Sequence, residues 1–261
     1  MEKVITEIDS DGIARVTLDN PSKHNAFDDQ IIAQLTDAFS AVAANSNVRV
    51  MVLASEGKSF SAGADLDWMK RMASYSYDEN LQDARALALM LQTLKTMPQP
   101  TIARIQGAVF GGAVGLVSCC DIAVAATVAT FSLSEVKIGL VPATVSPYVI
   151  EAIGARAARR YFMTAERFSA QTAKHIGLLS EVIGPENLDK QIGLLIDALL
   201  ANGPEAVIAS KQLVADINGQ AIGPDLIEHT CKMIAKIRVS EQGQEGLQAF
   251  LEKRKPHWLE D

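Results

Sequence analysis

The chain is poor in the features that settle a function quickly. Its 261 residues include three cysteines, two of them adjacent as Cys119 and Cys120. That leaves neither a disulfide framework nor a zinc spacing, and a reducing, cytoplasmic setting is expected. The histidines, His24, His175, His229 and His257, are scattered without metal-ligand spacing, so no metal site is expected. The net charge is −7 and no basic run exceeds the "EKRK" near the end, which argues against nucleic-acid binding. No apolar run reaches the ~20 residues that span a bilayer. The opening "MEKVITEIDSDG" has charges where a signal peptide is apolar, so neither membrane nor export is expected. G-x-S-x-G, GxxxxGK[ST] and a full G-x-G-x-x-G are all missing.

What is present is periodicity. "KVITEI" and "IARVTLD" alternate around the turn "DSDG" and predict a β-hairpin. After the loop "NPSKHNAF", Asp28 or Asp29 caps a helix reaching about Ala44. "VRVMVLAS" is nearly all apolar, so it reads as a strand buried on both faces. "EGKSFSAGAD" is then a small-residue loop, and a helical region runs through "NLQDARALALMLQTLKTM" to Pro98 and Pro100. "TIARIQG" and "DIAVAA" read as strands with the helix "FGGAVGLVSCCD" between them, and "FSLSEVKIGLVP" as a strand fragment entering a short helix or turn. From about Ser146 the period is helical, and wholly so after "NGPEA". The pattern is an α/β core followed by an α-helical C-terminal region.

Two junctions are chemically suggestive. "SFSAGAD" and "FGGAVG" each follow a strand, and their small residues leave main-chain N–H groups uncovered. The second opens a helix, whose first N–H groups lack partners and sit at the positive end of its dipole. Two such donors converging on one point make an oxyanion hole, worth about 3–4 kcal/mol per well-placed donor. The same glycines also fit plain packing: Gly111 and Gly115 are four apart, which suits helix contact, and Gly63 suits a turn. Cys119 and Cys120, inside an apolar helix run, read as buried small residues rather than a nucleophile.

Taken in order, "KHNAF", "FSAGADL", "GGAVGLVSCCDIAVA", "FSLSEVKIGLVP" and "AFLEKRKPHW" resemble the enoyl-CoA hydratase/isomerase (crotonase) superfamily. The resemblance implies an α/β, crotonase-like spiral of β-β-α units with an α-helical C-terminal region. It assigns 1–200 to an acyl-CoA-binding catalytic core and 201–261 to a helical trimerisation region, with assembly as a homotrimer or dimer of trimers. It also implies an acyl-CoA substrate, with no separate cofactor because CoA is part of that substrate. The enolate-stabilising N–H donors would belong to Ala64 and Gly112. CoA contacts would fall on Lys23, His24, Ala26, Ala62, Asp65 and Leu66, with Lys58 and Lys253 as phosphate partners, although Asp65 also reads as a plain N-cap.

Hydratases of this superfamily typically use two glutamates, one in the "F-x-x-x-E" segment and one three residues after the helical oxyanion glycine. The first corresponds to Glu135; the second position holds Gly115. A single carboxylate suits allylic isomerisation. Against that, "AGADLDWMKRM", "YDENLQDA" and "SEVKIGLVPATVSPYV" resemble bacterial hydratases of 3-methylglutaconyl-CoA and isohexenylglutaconyl-CoA, which also lack that glutamate. A branched, carboxylated enoyl-CoA is therefore the expected substrate. Its own carboxylate, or a hydroxyl of Thr144, Ser146 or Tyr148, is expected to hold water in the space at Gly115, with Arg71 or Arg85 facing a distal carboxylate. Isomerase activity, and RNA binding as in one mammalian relative, are the alternatives.

Overall fold

The alternation at the start of the chain does what it predicts. In the computed structural model, which describes residues 3–259, β1 (Val4–Ile8) and β2 (Ile13–Leu18) form an antiparallel hairpin. The Asp9 carboxylate accepts from the N–H groups of Asp11 and Ile13 at 3.0 and 2.9 Å. β2 then begins a parallel series with β3 (Val50–Ser55), β4 (Thr101–Ile105), β6 (Ile122–Ala126) and β9 (Glu181–Ile183), giving the order β1-β2-β3-β4-β6-β9.

Successive side chains of a strand point to opposite faces, and both faces of this sheet are covered. Val50 and Val52 of β3, with Ile102 and Val124, pack on Leu188, Ile192 and Ile196 of α7 (Leu188–Leu200). Met51 and Leu53 face the larger core. That core is built by α1 (Asp29–Ala44), α3 (Tyr77–Lys95), α4 (Gly112–Cys119) and α5 (Ser146–Thr164). Asp28 caps α1 through the Ile31 N–H at 3.0 Å. Asp121, just ahead of β6, accepts from the Thr101 N–H and hydroxyl at 2.8 and 2.9 Å.

A second sheet joins β5 (Val109–Phe110), β7 (Thr130–Ser132) and β8 (Phe168–Ser169); β7 is the strand fragment expected at "FSLSEVKIGLVP", whereas β5 and β8 are too short to show alternation. Single bridges Ser61–Val109 and Phe27–Ala64 tie the "SFSAGAD" loop to β5 on one side and to Phe27 on the other. β8 and β9 also correct the expectation of unbroken helicity after Ser146, since they lie between α5, α6 (Ala170–His175) and α7.

The C-terminal helices are as expected in kind and unusual in packing. Across α8 (Pro204–Ile217), α9 (Pro224–Val239) and α10 (Glu241–Glu252), only Ala249 is buried. Polar pins hold them instead: Lys211 pairs with Asp121 at 2.7 Å, and Arg254 reaches Glu245 at 2.7 and 2.8 Å. Among the described residues no single helix is long and apolar enough to cross a membrane.

Candidate active site

The first donor rests on a loop whose carbonyls are tied from below. The Asn25 amide donates to Glu56 O and Ser59 O at 2.7 and 2.9 Å and accepts from the Asn20 N–H at 2.8 Å. Gln106 donates to Ser55 O and Ser59 O at 2.9 and 3.2 Å. Beyond this anchor the Phe27 N–H bonds Gly63 O at 2.9 Å and the Asp65 N–H bonds Phe27 O at 3.0 Å. In such a parallel bridge the residue between, Ala64, turns its own N–H to the opposite side. Gly63 packs there against the backbone of Phe110 and Gly111, where a Cβ would stand 2.7 Å from Phe110 O. No acceptor among the described residues takes the Ala64 N–H.

The second donor comes from the start of α4. The Gly111 N–H is used by Ser132 O at 2.8 Å, and Gly111 adopts φ +54°, ψ −130°, a conformation essentially reserved for glycine. The chain then turns into α4 with the Gly112 N–H unpaired by any described acceptor, at the positive end of the helix. Phe27 lies over it: a Cβ on Gly112 would come within 2.9 Å of the Phe27 ring. Phe27 therefore bonds the first donor loop with its backbone and covers the second with its ring.

Glu135 follows β7 on a short 3-10 turn, Glu135–Ile138. Its Oε1 lies 3.4 Å from where a Gly111 Cβ would stand, so the missing side chain gives the carboxylate room beside α4. Oε2 is buried without a hydrogen-bond partner. Burial pushes the Glu135 carboxyl above its ordinary value, opposed in part by its own backbone N–H. A half-buried carboxyl with one oxygen, Oε2, buried and unpartnered, and with a raised affinity for protons, lies beside two free N–H dipoles and is suited to moving a proton next to a developing oxyanion.

Most of the other expected contacts gather around the same loops. Lys23 bonds Asp65 at 2.7 Å and Asp67 at 3.2 Å, so its ammonium is already paired. The Asp65 and Asp67 carboxylates raise the Lys23 value. Burial alone would push Asp65 up, but Lys23 and the N–H groups of Trp68 and Asp67 hold it below its ordinary range. Asp65 does cap α2 (Leu66–Met72), accepting from the Asp67 and Trp68 N–H groups at 2.8 and 3.2 Å. His24 meets the Ser59 hydroxyl at 3.2 Å, and its carbonyl takes the Ala62 N–H at 2.9 Å. Ala26 is buried and Leu66 exposed. Lys58 is an exposed neighbour on the same loop, whereas Lys253 is exposed at the end of α10, in a left-handed conformation with φ +56°.

The space expected at Gly115 does not exist. A Cβ there would stand 2.5 Å from Val145 Cγ1 and 3.3 Å from Leu91 Cδ2. Val145 fills the place, so neither a side chain nor a water held by Thr144, Ser146 or Tyr148 has room at that point. The Ser146 hydroxyl is spent on Ala143 O at 2.7 Å, and Arg71 pairs with Asp29. Asn25, Gln106, Phe27 and Val145 were missed as supports of the site. Each belongs to a quoted motif or strand, but their roles depend on contacts across the fold that spacing does not report. A cleft of about 990 Å³ lies elsewhere, between α8 and the C-terminal end of α4.

Comparison with known proteins gives the family and the fold. Residues 9–261 match the enoyl-CoA hydratase/isomerase family. An enoyl-CoA hydratase structure from Shewanella pealeana is 44% identical, with a TM-score of 0.95 over 98% of this chain and 96% of the other. Pseudomonas aeruginosa AtuE is 30% identical, with a TM-score of 0.94 over 99% of this chain and 100% of the other. The 2,3-dehydroadipyl-CoA hydratase of Escherichia coli is 29% identical over 92% of each chain. The chain belongs to the enoyl-CoA hydratase/isomerase family of enzymes, the crotonase superfamily, and has its fold.

Proposed function

We propose that the protein hydrates a branched, carboxylated enoyl-CoA such as 3-methylglutaconyl-CoA, with Glu135 as its acid–base group and the Ala64 and Gly112 N–H groups as its oxyanion donors. The observation that carries this reading is the Glu135 carboxyl beside the start of α4, with its Oε2 buried and unpartnered. With the thioester oxygen on the two N–H groups, C3 of the conjugated system is electrophilic. Glu135 takes a proton from water as the water oxygen bonds C3, and charge moves to the thioester oxygen. The same carboxyl then returns the proton to C2, giving the 3-hydroxyacyl thioester and the starting carboxylate. CoA lies along the loop of Lys23, His24, Ala26, Ala62, Asp65 and Leu66, with Lys58 and Lys253 meeting its phosphates. Arg85, which has no ion-pair partner among the described residues, remains for the distal carboxylate.

One observation favours the isomerase reading: Val145 occupies the position at which a second acid would stand. One carboxylate suffices to carry a proton from C2 to C4 of a 3-enoyl thioester. The two readings separate in a single panel. Hydration removes conjugated-enoyl absorbance with uptake of water, whereas isomerisation generates that absorbance. Turnover of neither substrate type, or near-wild-type turnover by Glu135→Gln, overturns the proposal. For assembly we propose a homotrimer or dimer of trimers built through 201–261, supported by apolar residues that α8–α10 leave exposed, among them Ile234, Phe250 and Leu251.

A further inference from the structure

Gly111 is the N-cap of α4 and Gly115 lies in its first turns, and a different part of one passage of chain covers each. Glu135 lies over the first and Val145 over the second. Val145 is buried and serves as the N-cap residue of α5, which packs against both α4 and the turn bearing Glu135. Between the two ends the chain is held mainly to itself. The Leu140 N–H bonds Glu135 O at 3.1 Å, the Gly139 N–H bonds Val136 O at 3.2 Å, and the Ala143 N–H bonds Val141 O at 2.8 Å. Ile138, Leu140 and Val141 are exposed, so this stretch gains little hold from the core. On the side towards the N-terminus Leu133 is fully buried; on the other side the first deep anchor after Pro142 is Val145.

We propose that Val145, seated on the bare backbone of Gly115, is a positioning residue for Glu135, fixing the distance between the carboxylate and the Gly112 N–H. The seat has little slack, because a single methyl on Gly115 would overlap Val145. A misplacement of about 1 Å in such a pair can cost roughly 100-fold in rate. This rests on Glu135 acting as the acid–base group.

The test compares Val145→Ala, Val145→Thr and the double variant Gly115→Ala/Val145→Ala. Readouts are kcat and KM on the enoyl-CoA panel and the titration of the Glu135 carboxyl by carbon NMR, assigned by its loss in Glu135→Gln. Val145→Ala should lower kcat by about 10- to 100-fold with KM within about twofold and should move the Glu135 titration. Val145→Thr, which keeps the shape, should stay within about threefold of wild type, and the double variant should recover part of the loss by returning a methyl to the seat. If Val145→Ala, or the double variant should the single fail to fold, leaves kcat and the titration unchanged while thermal stability falls, Val145 only packs and the proposal is overturned. If the wild type turns over no enoyl-CoA, the proposed function fails, and the titration still decides the role of Val145.

Discussion

The surroundings of α4 and the C-terminal helices are held together by different physics. At the start of α4 each glycine has a close neighbour: Glu135 over the N-cap Gly111, the Phe27 ring over Gly112, Val145 over Gly115. In α8–α10 only Ala249 is buried, and large apolar side chains such as Phe250 stand in solvent. The core is determined by shape, with tolerances of a few tenths of an ångström. The tail is held by ion pairs and caps, and its apolar surface stays exposed. A helix of this length gains most of its stability from burying one face, so the tail is the unfinished part of a single chain and the α4 face is the finished one.

The largest expected effect breaks the finished side chemically. Glu135→Gln keeps the shape and removes the proton carrier, so kcat should fall by roughly 1,000-fold, measured across the enoyl-CoA panel. The pH dependence has a definite sign. Burial raises the Glu135 carboxyl, so the folded state holds that proton more tightly than the unfolded chain, and ionising it costs stability as pH rises through that window. The base form is needed to take a proton from water. kcat/KM should therefore fall on the acid side at a pH above the ordinary carboxylate range. Glu135→Gln should match wild-type thermal stability below that range and exceed it above.

The next effect breaks the same side sterically. Gly115→Ala drives a methyl into Val145 at a packed seat and should cost about 1–3 kcal/mol of stability, read by denaturant titration. Gly115→Glu should be worse, and should not create a two-carboxylate hydratase. An unchanged midpoint for Gly115→Ala would show that the helix contact is slack.

The contrast also explains what the sequence disclosed. The hairpin, the two-faced strand β3 and the capped helix α1 were legible because period and capping are local properties. Glu135, Ala64 and Gly112 were legible as motifs. The seat at Gly115 was not, since its partner Val145 is thirty residues away and a glycine in a sequence reads as space whether the fold leaves it empty or fills it. The paired state of Lys23 was hidden for the same reason, with its acceptor Asp65 on a separate loop. β5, β8 and β9 were too short for any period.

On the unfinished side, substitutions should barely affect the isolated fold. Phe250→Ser and Leu251→Ser replace exposed side chains, so the stability of one chain should stay within about 0.5 kcal/mol. The mass measured by light scattering should fall to that of one chain if α10 lies in the assembly interface. An unchanged mass would place the interface elsewhere.

The smallest effect concerns the pins themselves. Arg254 holds Glu245 in a two-pronged pair, and the Glu245 carboxyl is lowered from 4.5 to about 2, by Arg254 first and also by the His257 N–H. A carboxyl lowered in the folded state supports that state above its unfolded value and loses this support as pH falls through the folded one. The pair orders the chain beyond α10, where Trp258 donates to Ala201 O at 3.3 Å and lies against Gly203 and Gly246. Arg254→Met keeps an apolar stem and removes the charge. In a Trp68→Phe background, where Trp258 is the remaining indole, Arg254→Met should increase acrylamide quenching at neutral pH. That difference from the parent should shrink as pH falls from 4.5 towards about 2. Equal quenching at all pH values would mean that the packing of Trp258, and not the ion pair, orders the tail, and would place its last turn with the finished side of the molecule.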